Sequence, residues 1–128
     1  MTRGNILLVD DDPGFLTALT KTLAKHGYMV TSAPNVADAI VEIQNRKQDF
    51  NLVITDLSMP MISGLAILSA IKTAFPRVQV IVITAFGDDA TQTKAIQQGA
   101  FAFINKPLDA EEFLAVVERA VAAEKELT

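Results

Sequence analysis

The 128-residue chain predicts an α/β fold: a doubly wound, five-stranded parallel sheet with helices on both faces. Three observations carry that prediction. Short runs rich in β-branched residues are apolar throughout instead of alternating, as suits strands covered on both sides. Segments with apolar residues at three-and-four spacing stand between those runs. The two kinds of segment alternate strand, helix along the whole chain, the order of a (βα)5 unit.

The clearest strands are Ile6–Val9, Leu52–Thr55 and Val78–Thr84, with Tyr28–Thr31 and Phe101–Ile104 as weaker runs of the same kind. Phe15, Leu16, Leu19 and Leu23 mark the first helix, which Gly27 ends as a glycine past a last helical turn does. Val36, Ala39, Ile40 and Ile43 mark the second, with Asn35 as its cap. Leu65, Leu68 and Ile71 mark the third, ending before Pro76. The fourth, Asp88 to Gln98, has only Ala90, Ala95 and Ile96 as apolar residues and is expected to be loosely held, with Gly99 at its end. The last begins at Asp109, with Glu112 three residues on in a capping-box pattern, and carries Phe113, Val116, Val117 and Ala120.

Composition removes several function classes. Half of the residues are apolar and a fifth charged, the balance of a globular domain, and no repeat or linker divides the chain. The absence of cysteine excludes disulfides, zinc-thiolate sites, iron–sulfur clusters and a thiol nucleophile. A single histidine, His26, excludes a multi-histidine metal centre; at the end of the first helix it complements the dipole and is structural. Eleven lysines and arginines against 15 aspartates and glutamates, net charge −4, offer no clustered positive charge for nucleic acid. No apolar run is long enough for a membrane span, and the opening Met1-Thr2-Arg3-Gly4-Asn5 lacks a secretory signal, so the cytoplasm is the expected compartment.

In a parallel sheet with helices on both faces, ligands bind beyond the carboxyl ends of the strands. There this sequence has Asp10-Asp11-Asp12, Asp56, Thr84 and Lys106. Two carboxylates about 4 Å apart repel by roughly 4 kcal/mol at an effective dielectric near 20. Converging aspartates therefore call for a cation, and an all-oxygen donor set with open positions suits magnesium, or manganese in its place. Each residue alone also has a plainer reading. Asp12-Pro13 is a good cap and first turn, Asp56 a loop cap, Thr84 a strand former, and Lys106 a solvated loop lysine. It is their conjunction that points to a site.

These segments resemble the receiver domains of two-component response regulators. Ile6-Leu7-Leu8-Val9-Asp10-Asp11-Asp12 is similar to their acidic-pair strand, and Leu52 to Pro60 followed by Gly64 to their phosphoacceptor segment. Val82-Ile83-Thr84-Ala85 and Asn105-Lys106-Pro107 are similar to the switch-threonine and lysine segments. The resemblance covers roughly residues 5 to 122. It implies a flavodoxin-like (βα)5 fold and a phosphoryl group taken onto Asp56 from a histidine kinase or phosphotransfer protein. It implies Mg2+ held by Asp11, Asp56 and the Ser58 carbonyl, with Asp10 acting through a bound water. Lys106, Thr84 and the backbone amides of Ser58 and Ala85 would hold the phosphoryl oxygens. The domain would be no enzyme beyond catalysing its own phosphorylation and dephosphorylation.

The resemblance also implies an output. Thr84 moves toward the phosphoryl group, and Phe103 stands where the family has an aromatic that fills the vacated space; plain core filling is its other reading. Ser58 and Phe86 occupy positions that set phosphoryl lifetime, and a bulky Phe86 implies a long one. The Lys106–Pro107 bond is commonly cis in the family. Gln92, Lys94, Gln98 and Phe101 lie on the fourth helix and fifth strand, where members, together with the fifth helix, form dimers or meet effectors.

Residues 84–88 and 116–120 look most like receivers of ATPase-type transcription activators. The last helical pattern, continuing through Ala123 and Leu127, is expected to begin a linker helix from a single receiver domain spanning 1–128, separated from its effector; a stand-alone receiver is the rival. Other readings are a degenerate receiver acting as an interaction module, a flavodoxin-like cofactor binder, and a haloacid-dehalogenase-type phosphatase. The second wants a phosphate loop where three aspartates stand. The third lacks the Thr or Val it needs where Gly14 stands.

Overall fold

The computed structural model describes residues 3–45, 50–56, 64–85 and 87–127. The elements follow as β1 (Gly4–Val9), α1 (Pro13–Lys25), β2 (Tyr28–Ala33), α2 (Val36–Gln44), β3 (Leu52–Asp56), α3 (Gly64–Ala74), β4 (Gln79–Thr84), α4 (Asp89–Gln97), β5 (Ala102–Asn105) and α5 (Ala110–Glu126). All four strand pairings are parallel and the order is β2-β1-β3-β4-β5. The chain thus begins in the sheet interior, steps outward to β2, then crosses to β3 on the other side. The connections diverge between β1 and β3, which opens a crevice at their carboxyl ends.

Period-two alternation explains why the central strands are apolar without interruption. Leu7, Val9, Val53, Val80 and Val82 face one core with Val36, Ala39 and Ile43 of α2, Leu68 and Ile71 of α3, and Ala95 of α4. Ile6, Leu8, Leu52, Ile54, Ile81 and Ile83 face the other, with Leu19 and Leu23 of α1 and Phe113, Val117, Ala120 and Val121 of α5. Edge strands β2 and β5 are only partly covered, which is why their runs are weaker in sequence.

Helix boundaries follow capping chemistry. Asp12, Asn35, Asp88 and Asp109 each cap a helix by accepting backbone N–H bonds, and Pro13 opens α1. Gly27 and Gly99 take φ of 92° and 102° after α1 and α4, a region that other residues adopt only with strain.

Several expected boundaries shift. β1 starts at Gly4 and β2 runs on to Ala33 because these two strands pair residue for residue from Gly4–Tyr28 to Val9–Ala33. β3 includes Asp56, paired with Ile83; β4 begins at Gln79, not Val78; and β5 is displaced by one residue to Ala102–Asn105. Ile40, assigned to the buried stripe of α2, is 37% exposed. In α4 only Ala95 is buried, and Ile96 is 47% exposed. α5 stays packed past the expected edge at 122. Glu124 is buried and accepts a 2.8 Å hydrogen bond from Asn51 Nδ2, and Lys125 Nζ donates to the Arg3 carbonyl at 2.7 Å. These ties are polar, so apolar periodicity does not reveal them. Among the described residues no helix is long and apolar enough to cross a membrane.

Candidate functional site at the strand carboxyl ends

Four of the five strands, β1, β3, β4 and β5, each deliver one side chain to the crevice. Asp10 follows β1 and its N–H donates to the Ala33 carbonyl at 3.2 Å, which holds it in line with the sheet. Asp56 ends β3 and Thr84 ends β4, and both are buried, as is Asp10. Lys106 follows β5, its backbone N–H bonded to the Thr84 carbonyl at 2.8 Å. The Lys106–Pro107 peptide is cis.

The acidic run divides its work. Asp12 is the helix cap: its Oδ1 accepts from Gly14 N at 3.0 Å and Phe15 N at 3.2 Å. The plain helix-entry reading is therefore right for this one residue. Asp10 instead turns to the crevice, with Oδ1 accepting from Asp12 N at 3.0 Å. Asp11 is exposed at its mouth. Carboxylate oxygens of Asp10, Asp11 and Asp56 lie within 4.8 Å of one another.

Lys106 Nζ is 3.1 Å from Asp10 Oδ2 and 3.1 Å from Asp56 Oδ2, a bridge between β1 and β3. Burial pushes the Asp10 carboxyl above its ordinary range, and the Asp56 charge adds to this; the Asp12 N–H and Lys106 oppose without cancelling it. Burial works against the Lys106 charge, but the hydrogen bonds that the ammonium donates to Asp56 and Asp10 outweigh it and hold the ammonium above its usual pKa. Among the described residues, the Lys106 ammonium thus pairs with two of three clustered carboxylates. An all-oxygen donor set with uncompensated negative charge fits a hard divalent cation such as Mg2+.

Among the remaining expected residues, Ala85 is exposed directly beyond Thr84, and Phe103 is partly buried against the core under α2, α3 and α4. Gln92, Lys94 and Gln98 are exposed on α4. Ser58 and Phe86 lie outside the described residues. One site residue escapes sequence reasoning: the Phe15 ring lies under Lys106, with Nζ 4.0 Å from its centroid. Its position in the apolar stripe of α1 makes it indistinguishable from a core residue in one dimension.

A family model for the response regulator receiver domain matches residues 6–118. The DNA-binding transcriptional regulator NtrC of Escherichia coli (strain K12) is 37% identical over 122 residues, 95% of this chain and 26% of that protein. The transcriptional regulatory protein GlrR of the same organism is 36% identical over 117 residues, 91% of this chain and 26% of that protein. This chain therefore spans about a quarter of the length of these curated relatives. A response regulator receiver domain protein from Clostridium thermocellum superimposes with a TM-score of 0.91 at 30% identity, covering 98% of this chain and 99% of that one. A beryllofluoride-activated NtrC4 receiver domain dimer gives 0.87 at 32% identity, covering 94% and 98%. With four strand ends converging on one acidic crevice, the chain belongs to the response regulator receiver domain family and is a receiver domain of the NtrC-like kind.

Proposed function

We propose that Asp56 is the phosphoacceptor and that Asp10, Asp11, Thr84 and Lys106 are its working partners. The observation that carries this is the Lys106 ammonium, 3.1 Å from both buried carboxylates at the β1/β3 crevice. In the transfer, an Asp56 oxygen forms the O–P bond as the N–P bond of a phosphohistidine breaks, and the electron pair leaves with the imidazole nitrogen. Such a transfer needs little covalent help, so positioning and charge neutralisation dominate.

Asp11, Asp56 and the Ser58 carbonyl would hold Mg2+, with Asp10 acting through a bound water, and the ion would supply neutralisation of the carboxylates and of phosphoryl charge. Lys106, already beside Asp56, supplies a point charge to a phosphoryl oxygen, and the Thr84 hydroxyl donates to another. Backbone amides of Ser58 and Ala85 complete the cradle.

The output is a move of Thr84 toward an added charge of nearly −2, with Phe103 following it. Alternation supports the pairing: Thr84, Val82 and Phe103 share one sheet face, and Val82 is the register partner of Phe103. The responding surface is α4, β5 and α5. There the chain meets an effector or a second copy; that the beryllofluoride-activated NtrC4 receiver domain is a dimer supports a second copy as one such partner. Since the relatives extend well beyond the matched region, we read this chain as the receiver of a longer NtrC-like, cytoplasmic transcription regulator. Phe86, two residues past Thr84, is assigned to shielding the phosphoryl group from water.

The phosphodonor protein docks over a shallow groove of about 180 Å³ lined by Phe15, Ala18, Leu19, Thr22, Leu108, Ala110 and Phe113, between α1 and the start of α5. Phe15, which lines it, also lies against the Lys106 ammonium, and the groove is mostly apolar, as a protein partner prefers. Labelling with acetyl phosphate and Mg2+ tests the central claim. Wild type takes up one phosphoryl group and Asp56→Asn takes none; equal labelling of both would refute it.

A further inference from the structure

The Lys106 ammonium has three N–H donors on a stem with four rotatable bonds. Two directions are taken by Asp10 and Asp56, each at 3.1 Å. The Phe15 ring covers a third side, 4.0 Å from Nζ to centroid. That ring is itself held: Asp12 caps α1 through the Gly14 and Phe15 amides, so the Phe15 backbone is pinned by the acidic run it serves. Its side chain is half-buried on the α1/α5 core, beside Leu19, Leu108 and Phe113.

We propose that Phe15 is a positioning residue for phosphoryl transfer, its ring face holding the Lys106 ammonium aimed at Asp56. A ring suits this task better than another polar partner. The negative face of an aromatic attracts an ammonium, yet offers no lone pair that would compete with incoming phosphoryl oxygens. It also keeps water off one side of the cation and stops the stem from swinging toward solvent. An aliphatic residue of similar bulk fills the space without the attraction. The role rests on the reading of Asp56 as phosphoacceptor.

Two measurements on the full chain decide it. The Lys106 ε-methylene protons of wild type are shifted upfield by the ring current, and that shift disappears in Phe15→Leu and persists in Phe15→Tyr. With Mg2+ and phosphoramidate, Asp56 phosphorylation slows by roughly 3- to 30-fold in Phe15→Leu, the range a contact of this kind is worth, and recovers in Phe15→Tyr. A wild-type spectrum without the shift overturns the proposal, as does a folded Phe15→Leu reacting at the wild-type rate. Should Phe15→Leu not fold, Phe15→Met is read in its place. A wild type that takes no phosphoryl group at Asp56 refutes the function reading, and this role with it, whereas an intact reaction indifferent to position 15 refutes this role alone.

Discussion

The Phe103 ring lies so close to the Gly87 backbone that a β-carbon there would stand 2.5 Å from the ring's Cε1 and Cζ, and 2.7 Å from Asn105 Oδ1. Glycine at this position lets the β4–α4 connection settle onto the aromatic of β5. The contact joins the segment after Thr84 to the residue expected to respond to it.

Gly87→Ala should therefore cost about 1–3 kcal/mol, the usual penalty of overpacking. In Gly87→Ala/Phe103→Ala the clash with the ring is gone and only the exposed Asn105 side chain must give way, so the double variant should be less destabilised than the sum of the singles. Urea denaturation of the four proteins measures the coupling. Additive losses would mean that the ring and the glycine do not meet.

Lys106 is the ammonium beside two buried carboxylates, and its loss leaves them facing each other. Lys106→Met should lower stability without divalent ions by about 1–3 kcal/mol, since a buried partner is left unsatisfied. Added Mg2+ should then raise Tm more in the variant than in wild type, because the ion replaces the missing charge. Chelation should reverse the gain in both. An equal Mg2+ shift in the two proteins would show that Lys106 and the ion act at separate places.

Asp88 caps α4 through a 2.7 Å bond from the Thr91 N–H, and that bond pulls its carboxyl below the ordinary value of 3.8. A depressed carboxylate stabilises the fold fully above its unfolded pKa, and the contribution is lost as pH falls through the lower, folded value. The Asp88 carboxyl should thus titrate below 3.8 by NMR, with the Thr91 amide shift following it. Asp88→Asn should keep the cap and abolish that acid transition. A titration at or above the ordinary value would contradict the capping geometry.

Glu124 sits at the far end of the sheet from the site, bonded to Asn51, whose Oδ1 in turn accepts from Asn5 N at 2.8 Å. Glu124→Ala should cost about 1–3 kcal/mol by leaving the Asn51 amide unsatisfied, while Glu124→Gln, which keeps an acceptor, should cost about 1 kcal/mol or less. Phosphorylation of Asp56 should be unchanged in both. A marked loss of phosphorylation would mean that the two ends of β3 are coupled.

Much of this molecule is legible in one dimension. The uninterrupted apolarity of Ile6–Val9 and Leu52–Thr55 declares strands covered on both faces, because period-two alternation must find a core on either side. Asn35, Asp109, Gly27 and Gly99 mark helix ends because capping is local chemistry. Asp10, Asp11, Asp56, Thr84 and Lys106 could be named because strand ends in a parallel sheet share one edge.

Only the tertiary structure decided what those residues do to one another. Strand order, which sets β1 beside β3, is a long-range choice, and it brings Lys106 within 3.1 Å of Asp10 and Asp56. It separates Asp12, the cap, from the Asp10 and Asp11 beside it. It turns Phe15 from one more stripe residue into the floor of an ammonium site, and Gly87 into the seat of Phe103. Periodicity reports which face a side chain takes; contact across a fold depends on the register and crossing of elements far apart in sequence.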